Sequence, residues 1–272
     1  MSRVNFGQIP IDFLQKLHSK SHIEKVLSAE VLSEDEISHM FGEDNSENRF
    51  TPECARLAAG GALEGMKSVV SSLTPVKSAF CLIRPPGHHA MAETTDGYCF
   101  FNNAGMAAHY AKELFGLTRV CILDWDVHHG DGTQDLFYES DDVLFMSVHR
   151  FENQKYFPYK PTAGHEYVGS GKGEGYNVNV AWSTTEDKND ESKVGTKEYK
   201  YLFENLLFGI IQEYDPQLLI LSAGFDSAKG DPLGKQQVEH ETYHWLCENL
   251  QKICPKILMV LEGGYNMETL VS

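Results

Sequence analysis

"ILDWDVHHGDGTQ", residues 122–134, places three carboxylates (Asp124, Asp126, Asp131) and two imidazoles (His128, His129) within eight residues, directly behind an apolar run. The run reads as a strand buried on both faces, so the polar cluster falls just past the carboxyl end of a core element. A charge buried without a partner costs several kcal/mol or more. This stretch therefore needs water or a counter-charge, and a metal ion supplies one.

Working outward, the run containing residues 119–124 ("RVCILD") has counterparts at 78–83 ("SAFCLI"), 143–148 ("VLFMSV"), 217–223 ("QLLILSA") and 256–262 ("KILMVLE"). Between them, residues 102–115, 199–213 and 237–252 carry helical periodicity. Residues 48–70 also read as a helix, with Thr51 as cap and Pro52 at the first helical position. Doubly buried strands alternating with helices predict an α/β fold: a single parallel sheet flanked by helices on both faces. Residues 183–200 are polar without apolar periodicity and read as a solvated loop. No internal repeat interrupts the pattern, and the expectation is one domain over 1–272.

In open α/β sheets the ligand sits beyond the carboxyl ends of the strands. Five polar loops fall there: "RPPGHHA", "DWDVHHGDG", "HRFENQKYFP", "AGFDSAKGDPLG" and "GGYN". Asp126 and His128 are two apart, so on an extended segment both point to one side, and Asp226 from another strand end makes a third ligand. Two carboxylates and one imidazole suit divalent zinc and leave positions open for water and substrate, as a catalytic site requires. A lone Asp-x-His is an ordinary turn feature; the histidine pair His88–His89 and Asp226 give it meaning. Imidazole has the right pKa to activate a metal-bound water or protonate a leaving group. Asp124 and Asp131 can each accept a hydrogen bond from one of these histidines, fixing its tautomer. Tyr265 follows two glycines that let backbone approach a ligand, and its phenol can donate to an oxyanion. Tyr98 and Phe157 by themselves read as packed aromatics.

Composition limits the function classes. The 272 residues carry a formal net charge of −16, which argues against direct nucleic-acid binding and favours a basic peptide as partner. The six cysteines form no C-x-x-C pair and sit mostly in apolar runs, as in a reduced, intracellular protein. The N-terminus has no signal-peptide pattern, and no apolar stretch reaches 18 residues, so neither secretion nor a membrane span is expected.

Taken in order, "RPPGHHA", "GYCFFNNA", "DWDVHHGDGTQ", "SVHR", "SAGFDSAKGDPLG" and "LEGGYN" resemble the class II (IIb-like) zinc-dependent histone deacetylases, over roughly residues 50–270. The resemblance implies the arginase/deacetylase fold and hydrolysis of acetyl groups from lysine side chains of histones or other proteins. It implies zinc on Asp126, His128 and Asp226, with Tyr265 as the phenol that polarises the carbonyl. His89 matches the family's main general base and acid, His88 its partner, and Asp124 and Asp131 the carboxylates behind them. Asp124 and Ser147, with backbone near His128, fall where the family holds a structural potassium ion. Gly97, Tyr98 and Phe157 match the tunnel around the acetyl-lysine stem, and Leu233 its rim. Nuclear or cytoplasmic location and corepressor or scaffold partners are further implications.

Measured against the family, an early N-terminal strand is missing and the chain stops seven residues after Tyr265, so a fold truncated at both ends with uncovered sheet flanks is expected. Two alternatives remain at this level: an acetylpolyamine deacetylase, and a non-catalytic module that binds acetyl-lysine or a partner.

Overall fold

The structure, a computed structural model, describes residues 3–41, 47–73, 76–183 and 194–271. Its centre is a six-stranded parallel sheet: β1 (Ser78–Cys81), β2 (Val120–Asp124), β3 (Val143–Arg150), β4 (Asn177–Trp182), β5 (Leu218–Ala223) and β6 (Ile257–Leu261), in the order β1-β6-β5-β2-β3-β4. The α/β expectation holds.

Alternate residues of the central strands feed two separate cores, which is why the strands are continuously apolar. Val120, Ile122, Phe145, Ile220 and Leu258 face the helices Thr51–Val70 and Asn103–Phe115. Cys121, Leu123, Met146, Leu219 and Leu221 face the opposite layer, built from Thr196–Tyr214 and the helix His240–Ile253. Ile9, Leu14, Ile23 and Val26, from an N-terminal segment not read as helical, complete the first core.

Four local differences have physical causes. β4 was not anticipated: it is an edge strand whose inward residues include Asn177 and Asn179, so no apolar run marks it. Phe50, rather than Thr51, occupies the cap position of the long helix, with Thr51 and Pro52 as its first residues. The helix expected over 199–213 is a continuous path containing a π-helical turn at Phe203–Leu207. Of the polar stretch 183–200, residues 184–193 lie outside the described residues, and its end is already helix from Thr196.

The topology dictates where a site can form. From β2 the chain adds β3 and β4 on one side, then returns to place β5 and β6 on the other. β2 and β5 are therefore neighbours across the point where the order reverses, in register from Val120↔Leu218 to Asp124↔Ser222. The crevice beyond their carboxyl ends is the natural ligand position.

Candidate active site

Beyond Asp124 the chain leaves β2 in a tight polar turn. Asp124 Oδ1 accepts the Asp126 N–H at 3.0 Å, and Asp126 Oδ1 accepts the His128 N–H at 2.9 Å. Asp226, just past β5, reaches across the reversal point to accept the Val127 N–H at 2.8 Å. These bonds aim three side chains at one point: His128 Nδ1 lies 3.1 Å from Asp126 Oδ1 and 3.0 Å from Asp226 Oδ2. Both carboxylates are fully buried.

Zinc bonds to N and O ligands are about 2.0 to 2.2 Å long, which in a tetrahedral arrangement sets ligand atoms about 3.3 Å apart. The two separations from His128 Nδ1 fit that requirement, and all three ligand atoms lie within 4.8 Å of one another. Burial and the neighbouring Asp126 push the Asp226 carboxyl up. Burial opposes charge on His128, but its hydrogen bonds to Asp126 and Asp226 outweigh this and raise it to about 10.

Beside this group the two histidines of the PPGHH turn have separate partners. His88 Nδ1–H donates to Asp124 Oδ2 at 3.0 Å, and His89 Nδ1–H donates to Asp131 Oδ1 at 2.7 Å. Both rings are buried and their centroids are 4.0 Å apart. Their proton affinities diverge. Burial is overcome at His88 by Asp124, Asp126 and Glu262, which hold it well above the usual value. Burial and the adjacent His88 lower His89 to about 4, against the pull of Asp131. The two rings are thus shifted in opposite directions, a divergence suited to dividing acid and base work.

A cavity of about 350 Å³ joins these groups. His88, His89 and His128 form its floor with Tyr265, while Gly97, Tyr98, Phe157 and Leu233 line its walls and mouth. Phe157 stands edge-on to His89, centroids 5.0 Å apart. Gly97 has a φ of +47°, and a Cβ there would lie 2.5 Å from His89 Cδ2, so only glycine lets this wall close on the histidine. Tyr98 and Leu233 are 42% and 43% exposed, which places them at the opening rather than in a core. Burial, then the Asp126 and Asp226 charges, push the Tyr265 phenol far up, so it stays protonated.

Two expected residues have other engagements. Ser147 lies opposite Asp124 on β3, but its hydroxyl donates to His149 Nδ1 at 2.8 Å. Both Asp124 oxygens accept hydrogen bonds, from the His88 ring and the Asp126 N–H. His129 faces away from the cavity, pairing with Gln134 and packing on His149.

Several supporting residues were not singled out from sequence. Tyr156 stacks on His128 (5.3 Å, 7°), Arg150 covers its far face at 4.6 Å, and its hydroxyl donates to Leu233 O. Buried Asp231 accepts the backbone N–H of Leu233, Gly234 and Tyr265, fixing the rim and the phenol together. Glu262 accepts the N–H of Gly87 and His88 and a hydroxyl from Ser222, fastening the histidine turn to the sheet. An Asp before Pro is a turn signal; nothing local distinguishes Tyr156, Arg150 and Glu262.

The histone deacetylase domain family matches residues 3–272, reaching further toward the N-terminus than the motifs do. The chain belongs to the histone deacetylase family. Among similar histone deacetylase-family proteins, Histone deacetylase HDA1 of Saccharomyces cerevisiae is 37% identical over 260 residues, 94% of this chain and 36% of that protein. Polyamine deacetylase HDAC10 of Homo sapiens is 37% identical over 257 residues, 93% of this chain and 37% of that protein. The chain thus spans just over a third of the length of these two relatives. The crystal structure of the HDA15 HD domain superimposes with a TM-score of 0.89 at 37% identity, covering 98% of this chain and 71% of that one. The fold is that of the arginase/deacetylase superfamily. No helix among the described residues is long and apolar enough to cross a membrane.

Proposed function

We propose that the chain is a zinc-dependent deacetylase acting on acetylated lysine in histones or other proteins, as one catalytic unit. The observation that carries this reading is the convergence of Asp126, His128 and Asp226 beside a histidine pair held by Asp124 and Asp131, at one cavity with Tyr265. Zinc held by those three side chains would polarise the amide carbonyl and acidify a water. The remaining work belongs to the chain's own groups.

The cavity walls of Gly97, Tyr98 and Phe157 take the aliphatic stem and exclude water from it. Neutral His89, its Nδ1–H fixed on Asp131, offers Nε2 to the attacking water and takes its proton. Tyr265 donates its O–H to the oxyanion that forms at the amide carbon. A histidine then returns a proton to the amine as the C–N bond breaks, leaving acetate and free lysine. Potassium near Asp124 and Ser147 and action in nucleus or cytoplasm, with corepressor or scaffold partners, are carried by family resemblance.

Acetylated polyamine is the second reading, because one relative bears that activity in its name. Leu233 at the mouth favours a neutral acetyl-lysine stem over a polyamine, whose ammonium would lose water against an apolar side chain. The test is acetate release by the purified, zinc-loaded chain from an acetyl-lysine peptide and from acetylspermidine. Faster turnover of the peptide supports the reading. A folded, zinc-replete chain that hydrolyses neither would overturn it.

A further inference from the structure

Asp131 is 2% exposed and uses both carboxylate oxygens: Oδ1 takes the His89 Nδ1–H, and Oδ2 pairs with the Lys160 ammonium. Lys160 itself is one-third exposed and does not line the cavity. Three groups therefore run in a line from the cavity floor to the surface: imidazole, carboxylate, ammonium.

The lysine is held in place for this contact. Its carbonyl accepts the Ala163 N–H at 3.2 Å, and the short turn Pro161–Ala163 that follows is fastened from several sides. Gln134 and Asn179 side chains donate to Thr162 O at 2.9 and 3.1 Å, and His149 Nε2–H donates to Ala163 O at 2.8 Å. Three residues before Lys160, Phe157 packs edge-on against His89. A single loop thus touches the His89 ring directly and grips the far side of the carboxylate that orients it.

We propose that Lys160 is a positioning residue for the deacetylation reaction, acting on His89 through Asp131; this rests on the deacetylase reading above. A buried carboxylate oxygen left without a partner is costly. Without Lys160, Asp131 can lower that cost by turning toward another donor, and the His89 ring turns with it. Because Lys160 lies outside the cavity, its loss acts on the rate of the bound complex and leaves substrate affinity alone.

The experiment compares Lys160→Met and Lys160→Arg with the parent in the zinc-loaded full chain, reading kcat, KM, zinc content and the downfield proton resonance of His89 Nδ1–H, assigned by its loss in His89→Gln. Lys160→Met is expected to lower kcat about 10- to 100-fold, the range for loss of groups that orient active-site ligands, with KM within about twofold. Its His89 resonance should shift or broaden, and Lys160→Arg should recover most of the rate. Unchanged kcat, an unmoved resonance, or zinc loss in proportion to rate loss overturns the proposal. If the parent hydrolyses no acetyl-lysine, the functional reading fails alone. The resonance then decides the Lys160 claim: movement in Lys160→Met supports it, and constancy overturns it.

Discussion

Asp126 Oδ2 accepts the backbone N–H of Gly263 at 2.8 Å, so a proposed metal ligand on the β2 turn is tied to the turn that presents Tyr265. The bond exists because Gly263 has no side chain: a Cβ there would lie 2.5 Å from Asp226 Oδ2 and 2.6 Å from Asp126 Oδ2. Gly263→Ala should therefore spread the two carboxylates and weaken zinc binding at least about 10-fold, the scale for disturbing groups that orient ligands. Zinc competition with a chromophoric chelator measures it; unchanged affinity would show that the turn has slack.

Asp231 joins three backbone donors at the rim, and Asp231→Ala leaves them without their carboxylate. Each lost buried acceptor costs roughly 1 to 3 kcal/mol, less whatever water replaces. We expect a loss of at least about 2 kcal/mol in urea unfolding, and a lower kcat because Tyr265 loses its anchor. Zinc content should stay at the parent level, since Asp231 touches none of the three proposed ligands. Wild-type stability in this variant would contradict the account of the rim.

Leu233 is exposed at the cavity mouth, where a glutamate would meet a substrate ammonium. Leu233→Glu should move the ratio of kcat/KM values toward acetylspermidine by about 10-fold, equivalent to about 1.4 kcal/mol. An unchanged ratio would remove Leu233 from the selectivity argument.

Stability should also fall in mild acid, for a reason outside the active site. His18 is buried, its Nδ1–H donates to Met91 O at 2.8 Å, and its Nε2 accepts the Asn102 N–H at 3.0 Å. Only the neutral ring makes both bonds. Burial, then the neighbouring His22, lower its pKa from 6.5 to about 4. Between those values the unfolded chain holds a proton that the folded chain does not. The contribution is therefore complete above about pH 6.5 and is lost as pH falls toward 4, at about 1.4 kcal/mol per pH unit. Denaturant melts across that range test this, and His18→Gln should reduce the slope by one group's share.

What could be read beforehand follows from where the information lies. Four strands show in the sequence because burial forces near-continuous apolar runs; β1 is apolar in sequence but lies at a sheet edge with Phe80 exposed, and β4 does not show, because an edge strand can carry Asn177 and Asn179 toward a polar network. Asp126, His128 and Asp226 are legible from strand ends and family motifs. Lys160, Glu262 and Tyr156 are not, since each acts through a partner remote in sequence: Lys160 is 29 residues from Asp131, and Glu262 is 175 from Gly87. A lysine in a loop looks like any solvated lysine until the fold sets a buried carboxylate beside it.

The central claim is that Asp126, His128 and Asp226 hold a catalytic zinc while Tyr265 acts on the reacting carbonyl. Zinc content and acetyl-lysine turnover, measured together in Asp226→Ala and Tyr265→Phe, test it most directly. The account predicts no retained zinc in Asp226→Ala. In Tyr265→Phe it predicts full zinc with kcat lowered about 10²- to 10³-fold, the cost of one oxyanion donor. Equal zinc loss in the two variants, or full zinc and full activity in Asp226→Ala, would contradict it.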